Sequence, residues 1–446
     1  MGAPPDPACE YWDERIERMG RDEIAALQLE RLRWQVGRCH EGSAFYRERL
    51  DAAGVGPDGI RSLEDLRRIP FVTKEELRAE QAAHPPFGRY AVAPPESWGE
   101  LHPSTGTTGV PVSTIWSRKD VENIADFTAR TMWSFGVRPG DVVQNAFSYG
   151  LWVAGMSVHY ATQKIGCFVI PIGAAMTERQ LLSLNTIGST VILSTPSSGL
   201  YIGEKLRESG IDPGSLPLRI GSFGGEGGTQ NPATRARIEE ALGIDAYDYF
   251  GLGEIGPTFA SESVAKSGLI WAEDHHIIEV IDPETRKPAG EGEIGILVIT
   301  HLTREATPML RYWTNDFARV ESAPSPCGRT HLRSPGGVLG RHDDLVIFRG
   351  AKFYPIQVEE VVRSFPELSN EFRVELRPDA GTGRDRCVVI AEYAGGGTPS
   401  GFEETLTRRL REALLVRPEV EILPTGSFER TTFKAKRYVD LRGAQS

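Results

Sequence analysis

From Ile24 to Val36 the apolar residues Ile24, Leu27, Leu29, Leu32 and Val36 recur at helical spacing with charged residues between them. The spacing predicts a helix near the start of the chain. Beyond the Pro- and Gly-rich stretch HPPFGRYAVAPPESWGE the texture changes: short apolar, β-branched runs at 141–146, 167–172, 190–194, 218–223 and 246–250 alternate with amphipathic stretches such as 177–184 and 232–242. That alternation predicts a doubly wound α/β sheet. The runs 277–281 and 295–300, joined by the turn-rich DPETRKPAGEGE, predict an antiparallel hairpin and hence a β-rich subdomain. After GRHDD a helix at 356–365, strands at 372–376 and 387–393, a helix at 402–415 and a strand at 420–423 make a unit of about 100 residues, enough to fold as its own domain. The expected fold class is α/β, with a large N-terminal domain of layered α/β sheets over 1–342 and a small, mobile α+β domain over 343–446.

Composition narrows this picture. In 446 residues there are 48 Gly and 30 Pro, a surplus that belongs to turns and close-approach loops in a folded chain. Fifty basic and sixty-one acidic residues leave a net charge of −11, which argues against a nucleic-acid partner or an anionic membrane surface. Cys9, Cys39, Cys167, Cys327 and Cys387 are odd in number and far apart, so no disulfide framework is expected. The acidic start lacks an apolar signal region, and no apolar run approaches the ~18 residues of a membrane span. A cytoplasmic location is expected.

The sharpest chemical signal is Ser104-Thr105-Gly106-Thr107-Thr108-Gly109-Val110-Pro111. Gly106 and Gly109 let the backbone approach an anion, and the hydroxyls and N–H groups can surround phosphate oxygens. It is not a Walker A loop, and by itself it also reads as a Ser/Thr-rich surface turn.

With LQLERLRWQV, FYRERL, SLEDLRRIPFVTKEELR, YGLW, HYATQKIG and KAKRYVDLR, this loop resembles the phenylacetate coenzyme A ligase family, within the AMP-forming acyl-CoA synthetases, adenylation domains and luciferases. The resemblance runs nearly end to end. It implies that Ser104–Gly109 bind ATP, with Thr107 also catalytic, although Val110 replaces the lysine common in the family. Gly224, Gly225 and Glu226 match the turn against the adenine. In Asp248-Tyr249-Phe250-Gly251-Leu252-Gly253-Glu254, Phe250 falls where an aromatic stacks on the base, Tyr249 and Gly251 flank it, and Glu254 falls where a carboxylate holds Mg²⁺. ATP brings about four negative charges, so a hard cation on oxygen ligands must offset them before a carboxylate approaches the α-phosphate. Asp316 matches the aspartate that accepts from the ribose hydroxyls, Arg341 a residue near ribose or phosphate, and Asp343 the hinge. Lys434 aligns with the catalytic lysine, with Phe433 in place of the usual glycine. Phe147, Tyr149, Trp152 and Phe223 are expected to line the acid pocket, and an aromatic carboxylic acid suits such a lining.

Many relatives also carry a structural zinc site; here the corresponding positions are Ser263, Ile270 and Ser325, with only Cys327 retained. One thiolate cannot fix a tetrahedral site even with His275 or His331 nearby, so no structural zinc is expected.

The resemblance implies a two-step ligase that uses ATP, Mg²⁺ and coenzyme A as co-substrate on an aromatic acid. An amide synthetase would need the same adenylation residues. The departures in Phe348-Arg349-Gly350-Ala351-Lys352-Phe353-Tyr354-Pro355, together with the lost zinc ligands and Val110, keep an amine acceptor and a secondary-metabolism branch open. A nucleotide-binding protein without catalysis is a further alternative, and a homodimer is left open.

Overall fold

The computed structural model describes residues 4–104, 111–174, 176–378, 385–395, 400–431 and 437–442. The opening helix, α1 (Arg21–Gly42), is longer than its apolar stripe because Gln28 and Gln35 are buried along with Ile24, Leu32 and Val36. Gln28 donates to the carbonyl of Glu273 at 2.9 Å and Gln35 to that of Arg304 at 3.0 Å, so the helix docks by polar bonds that hydrophobic periodicity does not reveal. Helix α2 (Lys74–Ala83) starts in a capping box of Thr73 and Glu76.

A hairpin of β1 (Trp98–Pro103) and β2 (Ser113–Ser117) precedes α3 (Arg118–Ser134). Next come β3 (Val142–Asn145), α4 (Val153–Ile165), β4 (Phe168–Ile170), β5 (Val191–Ser194), α5 (Pro196–Glu208), β6 (Ile220–Phe223), α6 (Pro232–Leu242) and β7 (Asp245–Leu252). The chain then turns to antiparallel pairing with β8 (Gly256–Ser261) and β9 (Leu269–Trp271), followed by a three-stranded sheet of β10 (His276–Ile281), β11 (Gly295–His301) and β12 (Tyr312–Ala318), and by β13 (Arg333–Ser334). The eight-stranded sheet runs β13-β9-β8-β7-β6-β5-β3-β4; its β3–β7 part is parallel, and the pairings of β7 with β8, β8 with β9 and β9 with β13 are antiparallel.

Successive strand side chains face opposite ways. One face carries Val143, Val191, Leu193, Ile220, Tyr247 and Tyr249, packed with α3 and α4 residues such as Met132, Trp133 and Val158. The other carries Ile192, Phe223 and Ala246 against Leu200 and Leu206 of α5 and Ile238 and Leu242 of α6. Hairpin β10–β11 forms where the pattern predicts it, at both ends within a residue. The predicted helix at 177–184 holds its helical hydrogen bonding to Leu182, widens to a π turn over Ser183–Ile187 and stops at left-handed Gly188.

The C-terminal part begins with a small hairpin of β14 (Val346–Phe348) and β15 (Ala351–Phe353), then α7 (Pro355–Arg363), β16 (Leu368–Arg377), β17 (Arg386–Tyr393), α8 (Phe402–Leu414), β18 (Glu419–Leu423) and β19 (Tyr438–Asp440). Its four-stranded sheet, β18-β17-β16-β19, closes over a separate core that includes Val346, Val358, Val374, Val389 and Leu406. Polar contacts tie it to the first part: Arg237 of α6 donates to the carbonyl of Leu368 at 3.0 Å and to that of Phe365, and Asn370 donates to Glu204 of α5 at 2.7 Å. Among the described residues no helix is long and apolar enough to cross a membrane.

Candidate functional site

The carboxyl ends of the parallel strands, where open α/β sheets bind ligands, carry most of the residues singled out above. Strand β6 is followed by Gly224 and Gly225. A Cβ on Gly224 would fall 2.6 Å from Cζ of Tyr249, so only glycine lets the turn pass over that ring. Gly225 lies against Trp152, a Cβ there falling 3.1 Å from the indole, and Glu226 accepts from the N–H of Ser197 at 2.8 Å, fixing the turn to the start of α5.

Strand β7 leads into the turn that carries Glu254. Gly251 is required at its entry, because a Cβ would meet the Pro257 carbonyl oxygen at 1.9 Å. Glu254 is 3% exposed, and Lys74, at the first position of α2, places its Nζ 2.9 Å from Oε1 but outside hydrogen-bonding geometry. Ser104 packs over Gly253, whose Cβ would fall 3.1 Å from the Ser104 Cα. Ser104 and Val112 close the neck between β1 and β2 by N–H bonds of 2.8 Å to the Val112 carbonyl and 3.0 Å to the Ser104 hydroxyl. Ser104, which precedes residues 105–110, therefore sits beside the turn that carries the buried carboxylate. Thr105, Gly106, Thr107, Thr108 and Gly109 lie outside the described residues, as does Lys434.

Asp316, in β12, is buried; Arg341 reaches its Oδ1 at 3.3 Å, while Oδ2 has no hydrogen-bond partner among the described residues. Burial raises the Asp316 carboxyl to about 7, Arg341 opposes the rise, and the charges of Asp343 and Glu254 add to it. Arg341 also forms a two-toothed pair with Asp343, both bonds 2.8 Å. The expected hinge residue is thus held by the same guanidinium that partners the buried carboxylate. A hard cation fits the oxygen donors of Glu254, and a hydroxyl pair fits the unfilled Oδ2 of Asp316.

The aromatic residues divide between the two sides of the sheet. Phe147 is fully buried and edge-on to Trp152 at 5.2 Å and to Tyr249 at 5.9 Å. Tyr149 accepts from Asn145 at 2.8 Å and lies 3.2 Å from His159 Nδ1; burial pushes its hydroxyl up to about 12. Phe223 does not join them. It faces the α5 side, where a Cβ on Gly199 would fall 2.6 Å from its ring. Tyr249 and Phe250 separate for the same reason of alternation: Tyr249 joins Phe147, and Phe250, half-buried, packs against Phe259 at 5.5 Å.

Lys74 escaped the sequence reading because nothing in local spacing pairs residue 74 with residue 254. Asp248 also went unassigned: it is buried beside Glu262 and Arg235, and burial first, then Glu262, holds its carboxyl well above the usual range.

At the remaining zinc-motif positions, Cys327 accepts from Ser263 at 3.2 Å and from Arg329 at 3.4 Å, and donates to Ser325 at 3.2 Å. Burial acts to raise the thiol, but the Ser263, Ser325 and Arg329 bonds bring it below its ordinary value. Ile270 is spent on sheet pairing with Arg333, His331 bonds the carbonyls of Trp271 and Ile16, and His275 bonds Thr303. One thiol, two hydroxyls and a guanidinium do not fit a zinc ion.

Residues 350–442 match the family model of the AMP-binding enzyme C-terminal domain. The chain is 37% identical to the phenylacetate-coenzyme A ligase of Thermus thermophilus, over 97% of this chain and 99% of that protein. It is 38% identical to the phenylacetate-coenzyme A ligase of Aromatoleum evansii, over 96% and 97%. Among solved structures, 2-hydroxyisobutyryl-CoA ligase in its postadenylation state superposes with a TM-score of 0.92 at 31% identity, covering 98% of this chain and 94% of that one. The thioesterification state of that same protein gives 0.74. With identity constant, the drop reflects how the parts are arranged, and the arrangement here superposes better on the postadenylation-state structure of that protein.

Proposed function

The chain belongs to the phenylacetate-coenzyme A ligase family, and from that premise we propose that it activates an aromatic carboxylic acid with Mg-ATP and passes the acyl group to coenzyme A. A carboxylate oxygen attacks the α-phosphorus, and the bond to pyrophosphate breaks. The thiol then adds to the carbonyl of the acyl-adenylate, its proton departs, and AMP leaves.

The chain's own residues divide this work. Asp316 accepts from the ribose hydroxyls through its unfilled oxygen, and Arg341 holds that carboxylate in place. Glu254 would hold Mg²⁺, which when bound supplies charge compensation for the phosphates. Lys74 balances the Glu254 charge in the fold, since a buried carboxylate without a cation is costly. Gly224, Gly225 and Phe250 frame the base. Ser104 is fixed beside the Glu254 turn, and Thr107, three residues on, is the phosphate ligand that the family resemblance implies. Lys434 brings an ammonium to the reacting oxygens, from a domain that begins at residue 343 and turns about Asp343. Phe147, Tyr149 and Trp152 surround the acid and exclude water until the acceptor arrives.

The observation that carries this reading is the buried, half-partnered carboxylate of Asp316 beside Arg341, close enough to Glu254 for the two charges to interact. The test is a panel of benzoates, phenylacetates and short hydroxyalkyl acids with ATP, supplied with coenzyme A and separately with amines, with products read by mass. Aryl-CoA and AMP are expected. AMP with amide but no thioester would replace the acceptor, and preference for the hydroxyalkyl acids would replace the aromatic substrate.

A further inference from the structure

Resting on the ligase reading, the structure points to a narrower substrate class: we infer that the acid carries a hydroxyl or amino group on its ring, and that Tyr249 and Ser222 recognise it. Both residues are buried, at 4% and 0% exposure, and neither hydroxyl has a hydrogen-bond partner among the described residues. They belong to one place. Ile220 and Tyr249 face the α3–α4 side of the sheet, and Ser222, two residues after Ile220, shares that face by strand alternation. Ser222 pairs with Tyr247 across β6 and β7, one alternation deeper in the sheet than Tyr249. The end of the Tyr249 ring passes under Gly224 and meets Phe147 edge-on, and Phe147 in turn meets Trp152.

Register sets the direction of the substrate. Glu254 and the Ser104 neck lie beyond the end of β7, so the reacting carboxylate belongs at that mouth. Ser222 lies one alternation further in than Tyr249, whose ring end lies at the level of Gly224, so the two line the side along which the far part of an aromatic ring arrives. An unsubstituted ring would bury two hydroxyls with their bonds unmade, whereas a phenol or aniline group donates and accepts there. A site with buried polar groups rejects an analogue that lacks the matching group far more strongly than an apolar pocket rejects one that carries an extra group. Tyr249 is therefore a specificity residue on the acid side, distinct from the nucleotide contacts expected of its segment.

The experiment is acid-dependent ATP–pyrophosphate exchange, measured as kcat/KM for the ring isomers of hydroxy- and aminobenzoate and of hydroxy- and aminophenylacetate against unsubstituted benzoate and phenylacetate. Wild type, Tyr249→Phe and Ser222→Ala are compared, each with its melting temperature. At least one substituted acid should exceed its parent by about tenfold or more in the wild type, and Tyr249→Phe should shrink that ratio by about tenfold. Ser222→Ala should shrink it in the same direction. Exchange with no preference for substituted acids, or a Tyr249→Phe enzyme that loses all acids in equal proportion, overturns the assignment while leaving the ligase reading intact. Absence of exchange with every acid overturns both.

Discussion

The surroundings of Asp316 and of Cys327 are both polar clusters, yet they end in opposite states. Around Cys327 each side chain has its partner: the thiol lies between Ser263, Ser325 and Arg329, and Arg329 continues to Glu17 and to the carbonyl of Glu10. The Cys327 carbonyl accepts from Tyr11 at 2.9 Å. This cluster is closed, and its product is a fastening of the N-terminal segment to the 325–329 turn. Around Asp316 the valences stay open among the described residues: one carboxylate oxygen lacks a partner, and Lys74 meets Glu254 off its hydrogen-bonding axis. A buried polar group left open costs roughly 1–3 kcal/mol, which a fold retains where a ligand completes the bond.

The strongest break of this contrast is at Glu254. Glu254→Gln should reduce pyrophosphate exchange by about 10²-fold or more and raise the Mg²⁺ concentration needed for half-maximal rate. Exchange at the wild-type rate would remove Glu254 from the metal.

Next in size is Asp316→Asn. A carboxyl raised to about 7 binds its proton more tightly in the folded state than in the unfolded one, so stability falls as pH rises from the usual carboxylate range to about 7. Nucleotide affinity should move the other way, rising through about pH 7 as the carboxylate forms. The asparagine variant should bind nucleotide about tenfold more weakly and lose both slopes, read by calorimetric titration and by melting at pH 5 and pH 8. An unchanged pH profile in the variant would move the titration to another group.

A third cluster sharpens the comparison because its closure depends on domain arrangement. Arg237, Asn370 and Glu204 satisfy one another only while the C-terminal part sits on α5 and α6. Arg237→Met should favour the other arrangement by several-fold, slowing adenylation relative to thioester formation from supplied acyl-adenylate. Equal change in both half-reactions would deny it that role. The smallest effect belongs to the closed cluster: Cys327→Ser should lower stability by about 1 kcal/mol in a denaturant melt and leave exchange untouched. A large loss of exchange would erase the distinction between the two clusters.

Much of the frame was legible in the chain. Strands β3 to β7 and the β10–β11 hairpin follow from β-branched runs between turn signals, and α6 begins and ends as predicted. Strand β8 was not legible, since Gly256-Pro257-Thr258-Phe259-Ala260-Ser261 opens on a Gly-Pro turn signal and holds no apolar β-branched run. That Ser104, Gly224 and Asp316 are candidates for the site follows from motif order along the chain. Lys74 does not, because its meeting with Glu254 spans 180 positions, which only packing brings together.

The sequence by itself determined the alternation of strands and helices, the family and the order of chemical groups, because each is carried by local pattern or contiguous motif. Tertiary structure decided the rest: that Phe223 faces α5 while Tyr249 meets Phe147 on the other face, that Arg341 couples Asp316 to Asp343, and that Ser263 and Ser325 close upon Cys327. The physical reason is common to all three. Which face a strand side chain occupies, and which distant group completes its hydrogen bonds, depend on register and layer packing, which join residues far apart in the chain.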